Sequence, residues 1–96
     1  MKNAVRMNER DNVAVLLEPR RNEELCIYMD AQGTEYSISV REDIPVYHKV
    51  AICEISKGGR IMKYGECIGI ATETIARGEH VHVHNVGSFG MKKGEL

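Results

Sequence analysis

The sequence has few aromatic residues, almost no net charge and no long apolar run. Among its 96 residues are four Tyr, one Phe and no Trp, so the core has to be built from aliphatic side chains. The formal net charge of −1 argues against nucleic acid or a membrane surface as a partner. No apolar run approaches the roughly 18 residues of a membrane span, and the N-terminus lacks the apolar region of a signal peptide. We therefore expect one cytoplasmic domain, with no nucleic-acid or membrane partner.

Cysteine is also scarce, and its spacing excludes two kinds of site. Cys26, Cys53 and Cys67 are odd in number and far apart in the chain. This pattern argues against a disulfide framework and against a zinc site built from thiolates. Each cysteine has an apolar neighbour, so we interpret all three as small buried hydrophobic residues.

The apolar residues predict short strands separated by frequent turns. Val13 to Leu17 is a continuous apolar run, which is typical of a strand covered on both faces. Leu25 to Met29 and the alternating segment Thr34 to Val40 predict a hairpin around the turn residues Asp30 to Gly33. No segment shows convincing helical periodicity. The predicted fold class is all-β.

A faint repeat occurs three times in the second half of the chain. Residues 43–50, 54–61 and 74–81 align without gaps, and each has an Ile near its start followed three residues later by a turn position. Gly58 and Gly78 suit a turn that needs a positive φ. Tyr47 stands at the equivalent position, where a bulky residue would be strained. Either this first turn is built differently or its strain serves a purpose.

Three alternating histidines follow the last repeat. In an extended strand His80, His82 and His84 would share one face, while Val81 and Val83 would point into the core. Imidazoles two residues apart on a strand can converge on one metal ion. Three of them supply only part of a coordination sphere, so another segment or another chain would have to complete it. The alternative is a solvated or partner-covered face without metal.

Four blocks of sequence carry a resemblance to a known family. They are Asp11–Val15, Ile44–Pro45 with His48–Ala51, Ile61 with Lys63–Gly65 and Ile68–Thr72, and Gly78 with His80–Asn85. In this order they resemble the small N-terminal domain of the altronate and galactarate dehydratase family. That domain also occurs as a separate small subunit in the family and in the related sulfolactate sulfo-lyase.

The resemblance implies a β-clip fold of the SAF type, a compact set of short, strongly bent strands. The matched domain covers residues 11–85. From the composition of the flanking segments we expect an N-terminal strand or arm (1–10) before it and a flexible or partner-binding tail (86–96) after it. The large catalytic subunit would then be a separate chain. Two features depart from the family pattern: Tyr47 replaces an expected glycine, and the segment from Pro19 to Gly33 is long.

For such a subunit we expect a role in dehydrating a sugar acid or in cleaving sulfolactate. A divalent metal, Fe(II) or Mn(II), would act as a Lewis acid in the assembled enzyme. The candidate side chains are divided by role as follows: His82 and His84 as metal ligands, His48 and Lys49 as catalytic groups, and Arg60, Lys63 and Tyr64 as substrate contacts. The alternatives are ordinary surface cations and a packed turn tyrosine. The alternative function is a free-standing β-clip module that binds a small anionic sugar or mediates assembly, without catalysis.

Overall fold

Short strands joined by tight turns make up residues 2–88, the part of the chain that the computed structural model describes. The nine strands are β1 (Ala4–Val5), β2 (Val13–Leu16), β3 (Leu25–Met29), β4 (Glu35–Ser39), β5 (Lys49–Ala51), β6 (Arg60–Lys63), β7 (Glu66–Ala71), β8 (His80–Val81) and β9 (Val86–Gly87). They form three antiparallel sheets, in the orders β1-β2-β5-β8, β3-β4 and β6-β7-β9. The all-β prediction is confirmed. Among residues 2–88 there is no helix, and hence none that could cross a membrane.

The four-stranded sheet lies between two apolar clusters. Ala14 and Leu16 of β2 pack into a cluster with residues of β3 and β4, whereas Val13 packs into a second cluster with Ile61 and Ile75. Every residue of β2 is buried. This arrangement explains the continuous apolar run, because a strand with core on both faces has no position for a polar side chain.

The predicted repeat corresponds to a turn that occurs four times. The turns span residues 21–24, 45–48, 56–59 and 76–79, and in each the last N–H donates to the first carbonyl. The third residue of each has a positive φ: Glu23 (76°), Tyr47 (69°), Gly58 (86°) and Gly78 (94°). This is the type II geometry. Tyr47 therefore adopts the same left-handed conformation as its glycine counterparts, which is strained for tyrosine but not for glycine, and the turn is not built differently.

Isolated backbone bridges at the isoleucines of the repeat join the turns in pairs. Ile55 and Ile75 form an isolated antiparallel bridge, and Ile44 forms one with Arg20. All three isoleucines are buried, so each anchors its turn in the core. The additional copy, around Arg20 and Glu23, lies within the segment from Pro19 to Gly33.

The cysteines differ from the sequence-based expectation. Cys26 is buried, but Cys67 is partly exposed and Cys53 is exposed, so the prediction of three buried thiols was wrong for these two. β1 lies in the segment 1–10, where a strand or arm is expected, and pairs with β2, while β9 pairs with β7, so both ends of the described chain join the sheets. Val86–Gly87 form β9, and the rest of the expected tail at 86–96 lies outside the described residues from residue 89 onward.

Two glycines of the repeated turn allow a test of its packing. A Cβ at Gly78 would lie 2.6 Å from the Ser39 carbonyl oxygen, whereas a Cβ at Gly58 would meet nothing within 4 Å. Both have positive φ, so Gly58→Ala should lower the free energy of unfolding by about 1–2 kcal/mol. Gly78→Ala should lower it by a further ~1–3 kcal/mol because it adds a backbone clash. Urea denaturation followed by circular dichroism measures both, and equal losses would contradict the predicted clash.

Candidate functional site

Strand pairing brings histidines from two distant segments together. In the β5–β8 pair, Lys49 is opposite Val81 and Val50 is opposite His80. Continuing this antiparallel register by one residue places His48 opposite His82. The two imidazole rings stack with their centroids 4.1 Å apart. A histidine 34 residues earlier in the chain thus supplies the additional segment that the sequence pattern required.

His80 joins this pair and completes a cluster of three imidazoles. His48 Nδ1 and His80 Nε2 are hydrogen-bonded at 2.8 Å. One nitrogen from each of His48, His80 and His82 lies within 4.8 Å of the others, and all three residues are half-buried. We call these three residues the imidazole cluster. It is the only such group of potential metal ligands among residues 2–88.

The residues after Val81 are not in an extended strand, contrary to the sequence-based expectation. β8 ends at Val81, and residues 82–85 form a turn closed by a hydrogen bond from the Asn85 N–H to the His82 carbonyl. Val83 is consequently 80% exposed instead of being a core residue. His84 is exposed too, with its ring tilted 43° to that of His80 and 5.1 Å away. It neighbours the cluster without being one of its three members.

Asn85 holds this turn and was not identified from the sequence. It is 4% exposed. Its Oδ1 accepts from the His82 N–H at 3.0 Å, and its Nδ2 donates to the His80 carbonyl at 2.8 Å. On the other side, Glu42 Oε2 accepts from the His80 N–H at 3.0 Å. The backbone on both sides of Val81 is therefore fixed by side-chain hydrogen bonds.

The electrostatic environment favours neutral imidazoles. Burial lowers the pKa of His80 to about 4, and the nearby charges of His84 and His48 add to the effect. Partial burial lowers the pKa of His82 as well, followed by the charges of His48 and Lys49. His80 is thus neutral at pH 7, and neutral imidazole is the form that binds metal ions.

The predicted cationic residues lie on two strands, Lys49 on β5 and the other two on β6. Lys49 follows His48 directly, and its pKa is lowered by burial and then by the ammonium of Lys63. Lys63 ends β6, with its Nζ 5.1 Å from the centroid of the Tyr64 ring. Arg60 begins β6, about 10 Å from Lys63 along the strand. Lys49 is therefore adjacent in sequence to a cluster histidine, and its ammonium group is repelled by that of Lys63.

Tyr64 lies at a turn that a buried carboxylate supports. Tyr64 and Gly65 both have positive φ (59° and 76°), as the two-residue hairpin turn between β6 and β7 requires. Asp11, 3% exposed, accepts the N–H of Tyr64 at 3.0 Å and that of Gly65 at 2.8 Å. The Tyr64 ring is 61% exposed, so it is available for contact outside the chain and not packed into the turn.

Comparison with known proteins agrees with this fold. The family model of the altronate/galactarate dehydratase SAF domain matches residues 2–88. The chain belongs to this family. It is 38% identical over 86 residues to the altronate dehydratase of Bacillus subtilis (strain 168), a match that covers 88% of this chain and 16% of the relative. The chain therefore spans about one-sixth of the length of that enzyme.

Shorter relatives match over more of their own length. The alpha subunit of (2R)-sulfolactate sulfo-lyase from Paracoccus pantotrophus is 34% identical over 61 residues, which are 64% of this chain and 90% of the relative. The corresponding subunit from Chromohalobacter salexigens is 40% identical over 55 residues, covering 57% of this chain and 58% of the relative. The SAF module thus occurs both within long dehydratases and in chains named as subunits.

Replacing Asn85 tests how the cluster is positioned. Asn85→Ala should lower the free energy of unfolding by about 1–3 kcal/mol, because it leaves the His82 N–H and the His80 carbonyl without their partner. The histidine ring signals in NMR spectra should also broaden or shift. Asn22→Ala, at an exposed turn position, is the control and should change stability by less than about 0.5 kcal/mol. Unchanged histidine signals in Asn85→Ala would contradict the positioning role.

Proposed function

We propose that this chain is the SAF module of a metal-dependent lyase that dehydrates a sugar acid, of the altronate or galactarate type, or that cleaves sulfolactate. In this proposal a separate large catalytic chain completes the active site. The observation that carries the proposal is the imidazole cluster beside Lys49 at the edge of a module of this family. The names of its relatives supply the reaction classes.

The donor set of the cluster fits a divalent metal ion. Two nitrogens that each lie about 2.1 Å from one ion are at most about 4.2 Å apart. The cluster nitrogens already lie within 4.8 Å, so small side-chain rotations suffice. Imidazole ligands suit Fe(II), and Mn(II) draws more on oxygen ligands. His48, His80 and His82 would hold the ion in place of the pair His82 and His84 that the sequence suggested, with the other positions left for substrate and partner.

The ion would serve as a Lewis acid that stabilises the negative charge that develops when a proton is removed beside a carboxylate. The chain's own residues have separate tasks. Lys49 and Lys63 provide two ammonium groups that can bind the carboxylate or sulfonate of the substrate. Tyr64 and Arg60 extend this contact surface along β6 and its turn. Lys49 in its neutral form can accept or return a proton at the substrate, whereas His48 would act as a ligand in this arrangement.

Metal binding by the isolated chain distinguishes the two ligand sets. We expect weak binding of Mn(II), measured by electron paramagnetic resonance, because the partner's ligands are missing. His80→Ala and His82→Ala should each weaken it by about tenfold or more, whereas His84→Ala should leave it nearly unchanged. If His84→Ala weakened binding as much as His82→Ala, the pair inferred from the sequence would hold the ion. The amide NMR spectrum of each variant verifies that it is folded.

Reconstitution with a large catalytic chain of the proposed enzyme tests the function. The mixture should eliminate water from altronate or galactarate, or sulfite from sulfolactate, faster than the large chain alone. His82→Ala and Lys49→Ala should reduce kcat/KM by about 100-fold or more, of the order found for catalytic side chains. Lys57→Ala, an exposed lysine in the third turn, is the matched control and should retain activity.

The free-standing binding module predicts other results. Activity of the large chain that does not change on addition of this chain would contradict the proposal. Tight stoichiometric binding of a sugar acid by the isolated chain, without a large partner, would favour the binding module instead.

A further inference from the structure

Tyr47 has an unusual position within the repeated turn. The equivalent residue is glycine in the third and fourth turns, and Tyr47 adopts their left-handed conformation with φ 69°. A Cβ is strained in this conformation, whereas glycine adopts it freely. The side chain of Tyr47 is nevertheless 72% exposed. The isolated fold therefore gains little from this ring and is destabilised by the residue that carries it.

Tyr47 also lies beside the imidazole cluster. It directly precedes His48, whose ring stacks on that of His82. On the other side of this stacked pair, Val83 directly follows His82 and is 80% exposed. Val46, the other central residue of the second turn, is 36% exposed. Three exposed apolar residues are thus sequence neighbours of the two stacked histidines. Val46 and Tyr47 precede His48, and Val83 follows His82.

Exposed apolar groups next to a polar cluster are typical of an unfilled interface. An aromatic side chain on a fixed backbone loses little entropy on binding, and Tyr is among the residues most often found at the energetic centre of interfaces. The backbone of Tyr47 is fixed because its N–H donates to the Leu16 carbonyl at 2.8 Å and the turn is closed by its own hydrogen bond. The aromatic group is therefore presented in a defined position.

We propose that Tyr47, with Val46 and Val83, forms the contact on which the large catalytic chain docks over the imidazole cluster, excluding bulk water from it. This inference rests on the proposed function for the identity of the partner. The Bacillus subtilis dehydratase carries about five-sixths of its length outside the part that this module matches. The Paracoccus relative is named as a subunit. In both cases further protein accompanies the SAF module.

The test compares Tyr47→Gly with Glu23→Gly, because Glu23 occupies the same position in the first turn with φ 76°. In the isolated chain both variants relieve left-handed strain, so the midpoint of urea denaturation should stay the same or rise. In binding to the proposed large catalytic chain, Tyr47→Gly should raise Kd by about tenfold or more. Glu23→Gly should leave Kd unchanged. Tyr47→Phe should bind as the unmodified chain does, because it keeps the ring.

Three results would overturn the inference while leaving the proposed function intact. The first is an unchanged Kd for Tyr47→Gly. The second is an effect of Tyr47→Gly on the KM of the reconstituted enzyme without an effect on Kd, which would assign the ring to the substrate. The third is self-association of this chain in sedimentation experiments that only Tyr47→Gly abolishes, which would make a second copy the occupant. Failure of the proposed function is different: the unmodified chain would neither bind nor activate the large chain.

Discussion

Each of the four left-handed turns is closed by the same three backbone hydrogen bonds. The last residue of the turn donates to the first, the left-handed residue donates to a carbonyl of a neighbouring segment, and the N–H of that same neighbour donates back to the last residue of the turn. The neighbours are Val40, Leu16, Ala71 and Ala51, all of them buried. Buried backbone groups need hydrogen-bond partners, and the strands are too short to supply them all through regular sheet pairing. The turns supply further hydrogen bonds between neighbouring segments.

This bonding pattern also determines where the functional side chains stand. His48 is the last residue of the second turn, so its N–H bonds to the Pro45 carbonyl and its carbonyl accepts from Leu16. The strand that follows fixes the register with β8 and hence the stack on His82. The positions of the three histidines are thereby held by backbone hydrogen bonds and by Asn85. Such support is what a site needs if its groups are to stay in a working geometry.

A feature of this structure was predictable from the sequence when it depends on residues close together in the chain and leaves a recurring local pattern. Three copies of the turn were detectable because an Ile and a turn position recur at fixed spacing. The fourth was not, because Arg20 and Glu23 occupy those positions and only the backbone preserves the motif. The buried strand at Val13–Leu16 was predictable because burial on both faces leaves a local signature.

The site was predictable only in part, for the same reason. His82 was identified from a local pattern, but its partner across the sheet depends on a register between residues 34 positions apart, which no local pattern reveals. Strict alternation placed Val83 in the core, whereas Asn85 ends the strand early and turns the chain. Side-chain hydrogen bonds to the backbone compete with strand pairing. The alternation of apolar and polar residues gives no information about which of the two prevails.

The surface around the cluster is poorly suited to an isolated stable domain. Burial of His80 disfavours its charged form, and the neighbouring histidines repel one another when protonated. Tyr47 adds left-handed strain of about 1–2 kcal/mol, a large fraction of the stability of a small domain. Glu23 carries the same left-handed strain in the first turn, so strain alone does not distinguish this surface. What distinguishes it is that a strained, exposed aromatic residue directly precedes a member of the imidazole cluster. Departures from the most stable local choice are typical of functional surfaces, and here such a departure adjoins the candidate site.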